Sequence, residues 1–158
     1  MMTSSSPWLI RQARPDDVPA MAALVEEFAE YMRALGDTTA PGLDAETLRR
    51  DGFGPAPAFQ GVVAERRGVV AGFLLHHAGY DTDAAVRLLF VIDLYVTASV
   101  RGQGIGAALL GAARDIAVRD GAAQLVWTVD RRNALARRFY ERMGADYVQG
   151  LELMCLDV

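Results

Sequence analysis

The sequence predicts a mixed α/β fold in which helices pack on the faces of a central sheet. Three observations predict it. Apolar residues between Val18 and Leu35 recur every three to four positions, which is typical of one helical face. The apolar run "VRLLFVIDLYV", residues 86–96, indicates a strand buried on both faces. Strand and helix patterns are interspersed along 158 residues without an internal repeat or linker, so we expect one domain over 1–158 with a loose tail at 1–7.

The first half of the chain is predicted to contain a short strand at residues 10–13, two helices and a hairpin. Pro15 suits the first turn of a helix, and Gly36 is a common residue at a helix C-terminus. Asp44 is a suitable N-cap for the second helix. Two apolar runs joined by "RRG" at residues 66–68 indicate a β-hairpin, and the following "GYDTDAA" indicates a loop.

The second half is predicted to begin with the long strand at residues 86–96, followed by a helix over 102–121. The run "AQLVWTV" indicates the next buried strand, and "RNALARRFYERMGA" indicates a helix that stops near Gly144. The remaining residues, "DYVQGLELMCLDV", predict two short strands around Gly150. The predicted order is therefore β-α-α-β-β-β-α-β-α-β-β.

Composition excludes several classes of function. All sixteen basic residues are Arg, so a Schiff-base lysine and a P-loop lysine are both excluded. The net charge of −4 argues against a nucleic-acid partner. No apolar run approaches the ~20 residues of a membrane helix, and "MMTSSSPWLI" does not resemble a signal peptide. We therefore expect a cytoplasmic protein with no membrane partner.

Cysteine and histidine usage predicts no metal site. Cys155 is the single cysteine, which excludes an intramolecular disulfide and a thiolate metal cluster, and we expect it to be a small buried hydrophobe. His76 and His77 are adjacent on a predicted strand and so point to opposite faces, which makes them a poor metal pair. We expect one of them to be packed and the other solvated.

Three alternating glycines, Gly102, Gly104 and Gly106, lie between the long strand and a helix N-terminus. Main-chain amides that curl around such a turn bind anions, which indicates a pyrophosphate site. A turn chosen only for tight packing is an equally simple interpretation. The absence of Lys excludes the P-loop, whereas Gly102-x-Gly104-x-x-Ala107 partly matches the dinucleotide fingerprint and keeps a dinucleotide-binding domain as an alternative.

The hexapeptide "RGQGIG", from Arg101 to Gly106, resembles the R/Q-x-x-G-x-G/A loop of the GNAT superfamily of N-acyltransferases. The segments "IRQARPDDVPAMAAL", "DLYVTASVRGQGIGAALL" and "VDRRNALARRFYERMGA" are similar to further parts of that family, over nearly the whole chain. The resemblance extends to the spermidine/spermine (diamine) acetyltransferase-like branch through "RPDDVPAM", "LRRDGFG" and "DLYV". It implies a mostly antiparallel sheet splayed at its middle, helices on both faces, and an N-acetyltransferase that uses acetyl-CoA as cosubstrate.

The resemblance implies a set of cofactor-binding residues. The pantetheine arm is expected to pair with the backbone of Leu94, Tyr95 and Val96, and the amides of Gln103, Gly104, Ile105 and Gly106, after Gly102, are expected to hold the pyrophosphate. Arg101 would add positive charge there, or is simply a solvated turn residue. Asn133 is expected to serve as the N-cap of the last helix and to contact coenzyme A.

The same resemblance implies two catalytic residues. Tyr140 is expected to act as the general acid for the thiolate leaving group, since a phenol of pKa ~10 can donate that proton. Alternatively, Tyr140 is a core aromatic beside Phe139. Adjacent helical positions face different ways, which favours Phe139 in the core and Tyr140 toward the cleft. Asp93 is expected to act as the base that neutralises the amine, or else as a structural hydrogen-bond acceptor. Ile92 stands where the family branch often carries Glu, so the base assignment rests on Asp93 alone.

The acceptor is expected to be a primary amine: a polyamine, a small amine or an amino acid. Glu26, Glu27 and Glu30, together with Asp16, Asp17, Asp81 and Asp83, provide acidic surface for a cationic amine, or are an ordinary solvated face. Aminoglycosides and protein N-termini are alternative acceptors. A non-catalytic acyl-CoA-binding or sensing domain is the alternative function. The last strands offer edges through which a homodimer could form.

Overall fold

The computed structural model describes residues 8–158, so the predicted loose tail at residues 1–7 lies outside the described part. The chain divides into two compact units, Met1–Thr128 and Val129–Val158. The strands are β1 (Leu9–Gln12), β2 (Gln60–Arg66), β3 (Val69–Asp81), β4 (Val86–Val96) and β5 (Ala122–Val126), and the helices are α1 (Val18–Ala34), α2 (Ala45–Phe53), α3 (Ile105–Arg119) and α4 (Ala134–Arg142).

The first unit is built on one five-stranded sheet in the order β1-β2-β3-β4-β5. The first four strands pair antiparallel, and β5 joins β4 in parallel, so the sheet is mixed and mostly antiparallel as predicted. The predicted "RRG" turn is confirmed: Arg67 (φ 53°) and Gly68 (φ 79°) are both left-handed, the backbone that a two-residue hairpin requires. The predicted loop after it begins later than expected, because β3 continues to Asp81.

One face of the sheet packs on α1 and α2. Val18, Met21 and Leu24 of α1 recur at helical spacing and are buried, as predicted. They join a core cluster with inward-facing strand residues such as Phe73 and Leu75. Asp44 caps α2 by accepting a hydrogen bond from the Thr47 amide at 2.8 Å, which confirms its predicted role.

The opposite face packs on α3. A Cβ at Gly72 would lie 3.3 Å from Leu109 of α3 and 3.1 Å from Val96, so a glycine lets the helix lie close against the strands there. His76, on this face, is buried, whereas His77 is exposed, as the sequence predicts. Helices therefore cover both faces of the sheet.

An ion cluster ties the start of the chain to the sheet. The Arg11 guanidinium donates to both oxygens of the Asp17 carboxylate at 2.8 Å, and its Nη2 lies 2.7 Å from Glu65. The Arg14 amide also donates to Asp17 at 2.7 Å. The hydrogen bonds from Arg11 hold the pKa of Asp17 below its usual range. β1, β2 and the turn before α1 are thereby held together.

The second unit consists of residues 129–133, α4 and the segment 143–158. Asn133 caps α4 by accepting from the Ala136 amide at 3.1 Å, as predicted. The two strands predicted around Gly150 are wrong, since residues 145–158 form no regular secondary structure. Cys155 is exposed, so its prediction as a buried hydrophobe is wrong as well. A strand is stable only when a neighbouring strand completes its hydrogen bonds, and the described residues provide this segment with none.

None of the helices in residues 8–158 is both long enough and apolar enough to cross a membrane.

Candidate active site

The candidate site begins where β4 and β5 separate. β5 pairs with β4 only from Arg87 to Phe90. Beyond that point no strand among residues 8–158 pairs with β4 on its β5 side. Just after the separation, the pairing of β4 with β3 shifts by one residue. Val91 pairs with His76, but Asp93 pairs with the adjacent Leu75. Ile92 is therefore the extra residue of a β-bulge, which bends the strand at this point. The predicted splay of the sheet is present.

Alternation along β4 determines which main-chain groups face the opening. The Thr97 amide donates to the Ala71 carbonyl at 2.9 Å, so Thr97 faces β3. Because backbone groups alternate in direction along a strand, Tyr95 also faces β3, whereas Leu94 and Val96 turn their N–H and C=O groups toward the opening. Of the three residues predicted to pair with the pantetheine arm, two present main-chain groups there.

The glycine loop that follows contains two left-handed residues, which suits a turn whose amides bind an anion. Gly102 and Gly104 are both left-handed, with φ of 77° and 79°, a region that favours glycine. A Cβ at either position would meet nothing within 4 Å, so backbone conformation rather than crowding requires glycine. Gly104 is the N-cap of α3 and supplies no side-chain cap, and the first helical bond is Ala108 N–H to Gly104 C=O at 3.0 Å. The amides before Ala108, which include Ile105 and Gly106, thus point out of the helix end.

Two side chains fix this loop. The Gln103 side-chain oxygen accepts from the indole nitrogen of Trp8 at 3.2 Å, which ties the loop to the residue before β1. Arg101 donates from Nε to the Val96 carbonyl at 2.9 Å. Its guanidinium carbon lies 5.2 Å from the ring centre of Tyr31 and 5.3 Å from that of Tyr95. Arg101 is therefore a packed residue and not a solvated turn residue.

The Tyr95 side chain links β4 to α1. Its ring lies 5.3 Å from that of Phe28, and its hydroxyl donates to the Glu27 carboxylate at 3.4 Å. Thr97 donates to the same oxygen of Glu27 at 2.7 Å. Burial raises the pKa of the Tyr95 phenol. Sequence reasoning did not identify Thr97 or Tyr31 here, although the spacing of Glu27 and Tyr31 (i, i+4) places both on one face of α1.

Asp93 lies beside the bulge, at the splayed part of β4. Its pair partner is Leu75 and its face of the sheet is the α1 face. Within residues 8–158 no side chain or amide hydrogen-bonds to its carboxylate. Burial raises the pKa of Asp93 to about 6. The structure thus provides no partner for the structural-acceptor interpretation of Asp93.

The predicted acidic surface is smaller than the sequence indicates. Asp17 is bound to Arg11, and Asp81 accepts from the amides of its own turn at 2.9 Å and 3.2 Å. Glu27 is held by Thr97 and Tyr95. Glu26 and Glu30 are exposed on α1, so they remain available to attract a cation.

The structure brings Asp93, residues 94–96 and the loop 101–106 together in the first unit. Asn133 and Tyr140 lie in the second unit. There, Tyr140 is half-buried with its ring 5.1 Å from that of Phe139. Phe139 is also half-buried, so it does not fill a core in the way the sequence predicts.

The end of β4 has main-chain groups without a strand partner, and one turn later the amides at the N-terminus of α3 are free of helical bonds. This arrangement suits a ligand with an extended amide-containing arm and a diphosphate. Acyl-CoA has this chemistry, so the fold and the site fit the class of acyltransferases. Residues 21–145 match the acetyltransferase (GNAT) family, and the chain belongs to this family. The chain is therefore an acetyltransferase, and acetyl-CoA is the cosubstrate typical of its family.

Named relatives cover most of the chain. It is 32% identical over 145 residues to the thialysine N-epsilon-acetyltransferase of Bos taurus, a match that covers 87% of this chain and 83% of the relative. It is 30% identical over 149 residues to the uncharacterized N-acetyltransferase YhfO of Bacillus subtilis, with 94% and 97% covered. Among solved structures, an integron cassette protein of V. cholerae superimposes with a TM-score of 0.81 at 21% identity, covering 98% of this chain and 94% of that one. The last similarity concerns the fold alone.

Proposed function

We propose that this acetyltransferase binds acetyl-CoA along β4 and the glycine loop, and transfers the acetyl group to the primary amine of a small cationic molecule. One observation carries the proposal: the main-chain groups of Leu94 and the Val96 N–H have no strand partner on the β5 side, and one short turn later Gly102 and Gly104 are both left-handed. An extended arm needs main-chain groups without a strand partner, and a diphosphate needs the amides of the glycine turn.

In the proposed complex, the pantetheine arm hydrogen-bonds to the main chain of Leu94 and Val96. The amides from Gln103 to Gly106 hold the pyrophosphate at the N-terminus of α3, where the helix dipole favours negative charge. Asn133, which already caps α4, also contacts coenzyme A. An amide of the open strand polarises the thioester carbonyl, as in an oxyanion hole.

The chemistry that we propose is direct attack in a ternary complex. Asp93, through a water molecule, takes a proton from the ammonium group, and the neutral amine attacks the thioester carbon. The tetrahedral intermediate collapses with cleavage of the C–S bond. Tyr140 gives its phenolic proton to the departing thiolate and recovers a proton from the acetylated nitrogen. A pKa of about 6 supports this role for Asp93, because the carboxylate is ionised at neutral pH yet more basic than an ordinary aspartate.

The proposed acceptor class is a diamine or an amino acid with a terminal amine. The bovine relative is named for the Nε of thialysine, which is an amine of this kind. Glu26 and Glu30, which are exposed on α1, support a preference for a second positive charge on the acceptor.

We further propose a cytoplasmic homodimer in which residues 1–158 act as one acetyltransferase domain. The segment 147–158 supports the dimer, because its apolar side chains are exposed, among them Leu153 (86%) and Met154 (89%). A second copy could bury them. Light scattering of the full chain and of a chain ending at Gly150 tests this, and a monomeric full chain would contradict it.

The test of the proposed function is release of free coenzyme A from acetyl-CoA in the presence of paired amines. Putrescine and butylamine have the same carbon chain, but only putrescine carries a second charge, and spermidine, ornithine and thialysine extend the set. We expect turnover with the diamines and at least tenfold lower kcat/KM with butylamine. Tyr140→Phe is expected to lower kcat by about tenfold or more, since it removes only the acidic proton.

Two results would contradict the proposal. Tight binding of acetyl-CoA with no turnover on any amine would favour a sensing domain. Thermal stabilisation by NAD but not by coenzyme A would favour the dinucleotide alternative, because a ligand that binds the folded state raises its stability.

A further inference from the structure

The Arg101 side chain is used within the protein. Its Nε donates to the Val96 carbonyl at 2.9 Å, and the two residues are separated by the turn that leads into the glycine loop. The guanidinium lies within cation–π distance of Tyr31 from α1 and of Tyr95 from β4, at 5.2 Å and 5.3 Å. One planar cation at the start of the loop thus contacts both a helix and a strand.

The carbonyl that Arg101 contacts is at the open side of the sheet. Alternation along β4 turns the Val96 C=O toward the region that the β5 strand leaves free, as derived from the Thr97 bond to Ala71. A carbonyl in that direction has no ladder partner. Arg101 supplies a donor and thereby fixes the direction of the last main-chain groups of β4.

The same contacts reach α1 through Glu27. Thr97, the residue after Val96, donates to the Glu27 carboxylate at 2.7 Å, and the Tyr95 hydroxyl donates to the same oxygen. Glu27 and Tyr31 lie one turn apart on α1. α1 therefore contacts the end of β4 through the Glu27 carboxylate and contacts Arg101 through the Tyr31 ring.

We propose that Arg101 is a positioning residue that aligns the end of β4 and the glycine loop with α1, rather than a ligand of the pyrophosphate. The alignment requires a side chain that donates from Nε to Val96 while its cationic end lies over two aromatic rings, and a Lys side chain has no such Nε–H donor part-way along its length. This assignment rests on the proposed function, because the aligned groups matter only if the donor molecule lies along β4.

The test compares two donors in Arg101→Gln, Arg101→Lys and wild-type protein. S-Acetylpantetheine has the thioester arm of acetyl-CoA but no pyrophosphate. A positioning residue acts on both donors equally, so we expect each variant to lose about tenfold or more in kcat/KM with both, mainly through donor KM, with the ratio between donors kept within about twofold. Arg119→Gln, which removes an exposed arginine paired with its neighbour Asp120, is the matched control and should leave both donors unchanged.

A second variant covers the case in which Arg101 variants do not fold. Tyr31→Leu leaves the glycine loop intact but removes one ring from the guanidinium, and we expect a smaller loss of about threefold to tenfold that is again equal for both donors. The melting temperature of each variant separates this effect from unfolding.

Different outcomes overturn different statements. A loss confined to acetyl-CoA, or wild-type activity in Arg101→Lys, would make Arg101 a phosphate ligand and overturn the positioning assignment alone. Wild-type protein that turns over neither donor with any amine would overturn the proposed function and this assignment with it.

Discussion

Two aspartates on the α1 side of the first unit have opposite surroundings. Asp17 receives two hydrogen bonds from Arg11 and one from the Arg14 amide, and these contacts lower its pKa. Asp93 receives no hydrogen bond from residues 8–158, and burial raises its pKa to about 6. The protein thus stabilises the charge of one carboxylate and destabilises the charge of the other.

The difference separates a structural carboxylate from one whose surroundings suit the proposed general base. A paired aspartate holds two elements together and is an ineffective base, because its proton affinity is low. A partly buried aspartate without a hydrogen-bond partner lowers the free energy of unfolding. Its pKa lies closer to neutral pH, which a general base needs. The same substitution, Asp to Asn, should therefore have opposite effects at the two sites.

The largest expected effect is the loss of activity in Asp93→Asn. An amide cannot take up the proton of the amine, so we expect kcat/KM at pH 7.5 to fall by about 10²- to 10⁴-fold. Asp17→Asn is the matched control and should retain the wild-type rate per folded molecule. Wild-type activity in Asp93→Asn would exclude Asp93 as the base.

The next effect is the loss of stability in Asp17→Asn. Removing one partner of a buried ion pair leaves Arg11 with Glu65 alone, and the side chains of Arg11 and Asp17 are only 15% and 8% exposed. We expect the free energy of unfolding to fall by about 3 kcal/mol. Urea unfolding at pH 7 measures it, and a change below about 1 kcal/mol would show that this cluster contributes little.

The sequence identifies Asp93 as a candidate catalytic residue but does not decide between a general base and a structural hydrogen-bond acceptor. Residue type and spacing identify a carboxylate near the end of a buried strand, but its pKa depends on which groups lie within a few ångströms of it. Asp17 shows the converse, because the sequence places it in an acidic surface, whereas the fold brings Arg11 to it from β1. Local sequence carries no information on such a cross-element pair.

The elements that the sequence predicts well are those defined by local signals. Asp44 and Asn133 cap their helices through bonds that span three residues, and Gly102 and Gly104 have the left-handed backbone that their spacing indicates. The segment 145–158 has a strand-like pattern and forms no strand. β4 has a similar pattern and does form one, because β3 pairs along its whole length. A strand-like sequence pattern therefore does not form a strand unless a neighbouring strand completes its hydrogen bonds.

The smallest expected effect is a stability difference that depends on pH. The folded-state pKa of Asp93 is about 6, above its ordinary value of 3.8, so the folded chain retains a proton that the unfolded chain has lost between about pH 4 and pH 6. Ionisation therefore costs stability as pH rises through this window, with a ceiling of about 3 kcal/mol for a shift of about two units. Asp93→Asn removes this cost, so it should equal wild type in stability near pH 4 and exceed it by about 2 kcal/mol above pH 7.

The sign of the pH dependence distinguishes the two aspartates. Asp17 has a lowered pKa, so its contribution is present above about pH 4 and is lost as pH falls. Asp17→Asn should thus be less stable than wild type at neutral pH, and the gap should close in acid. Urea unfolding of the three proteins from about pH 2 to pH 8 measures both gaps. If Asp93→Asn is less stable than wild type at pH 7, then the Asp93 carboxylate has a stabilising partner and is a structural group like Asp17.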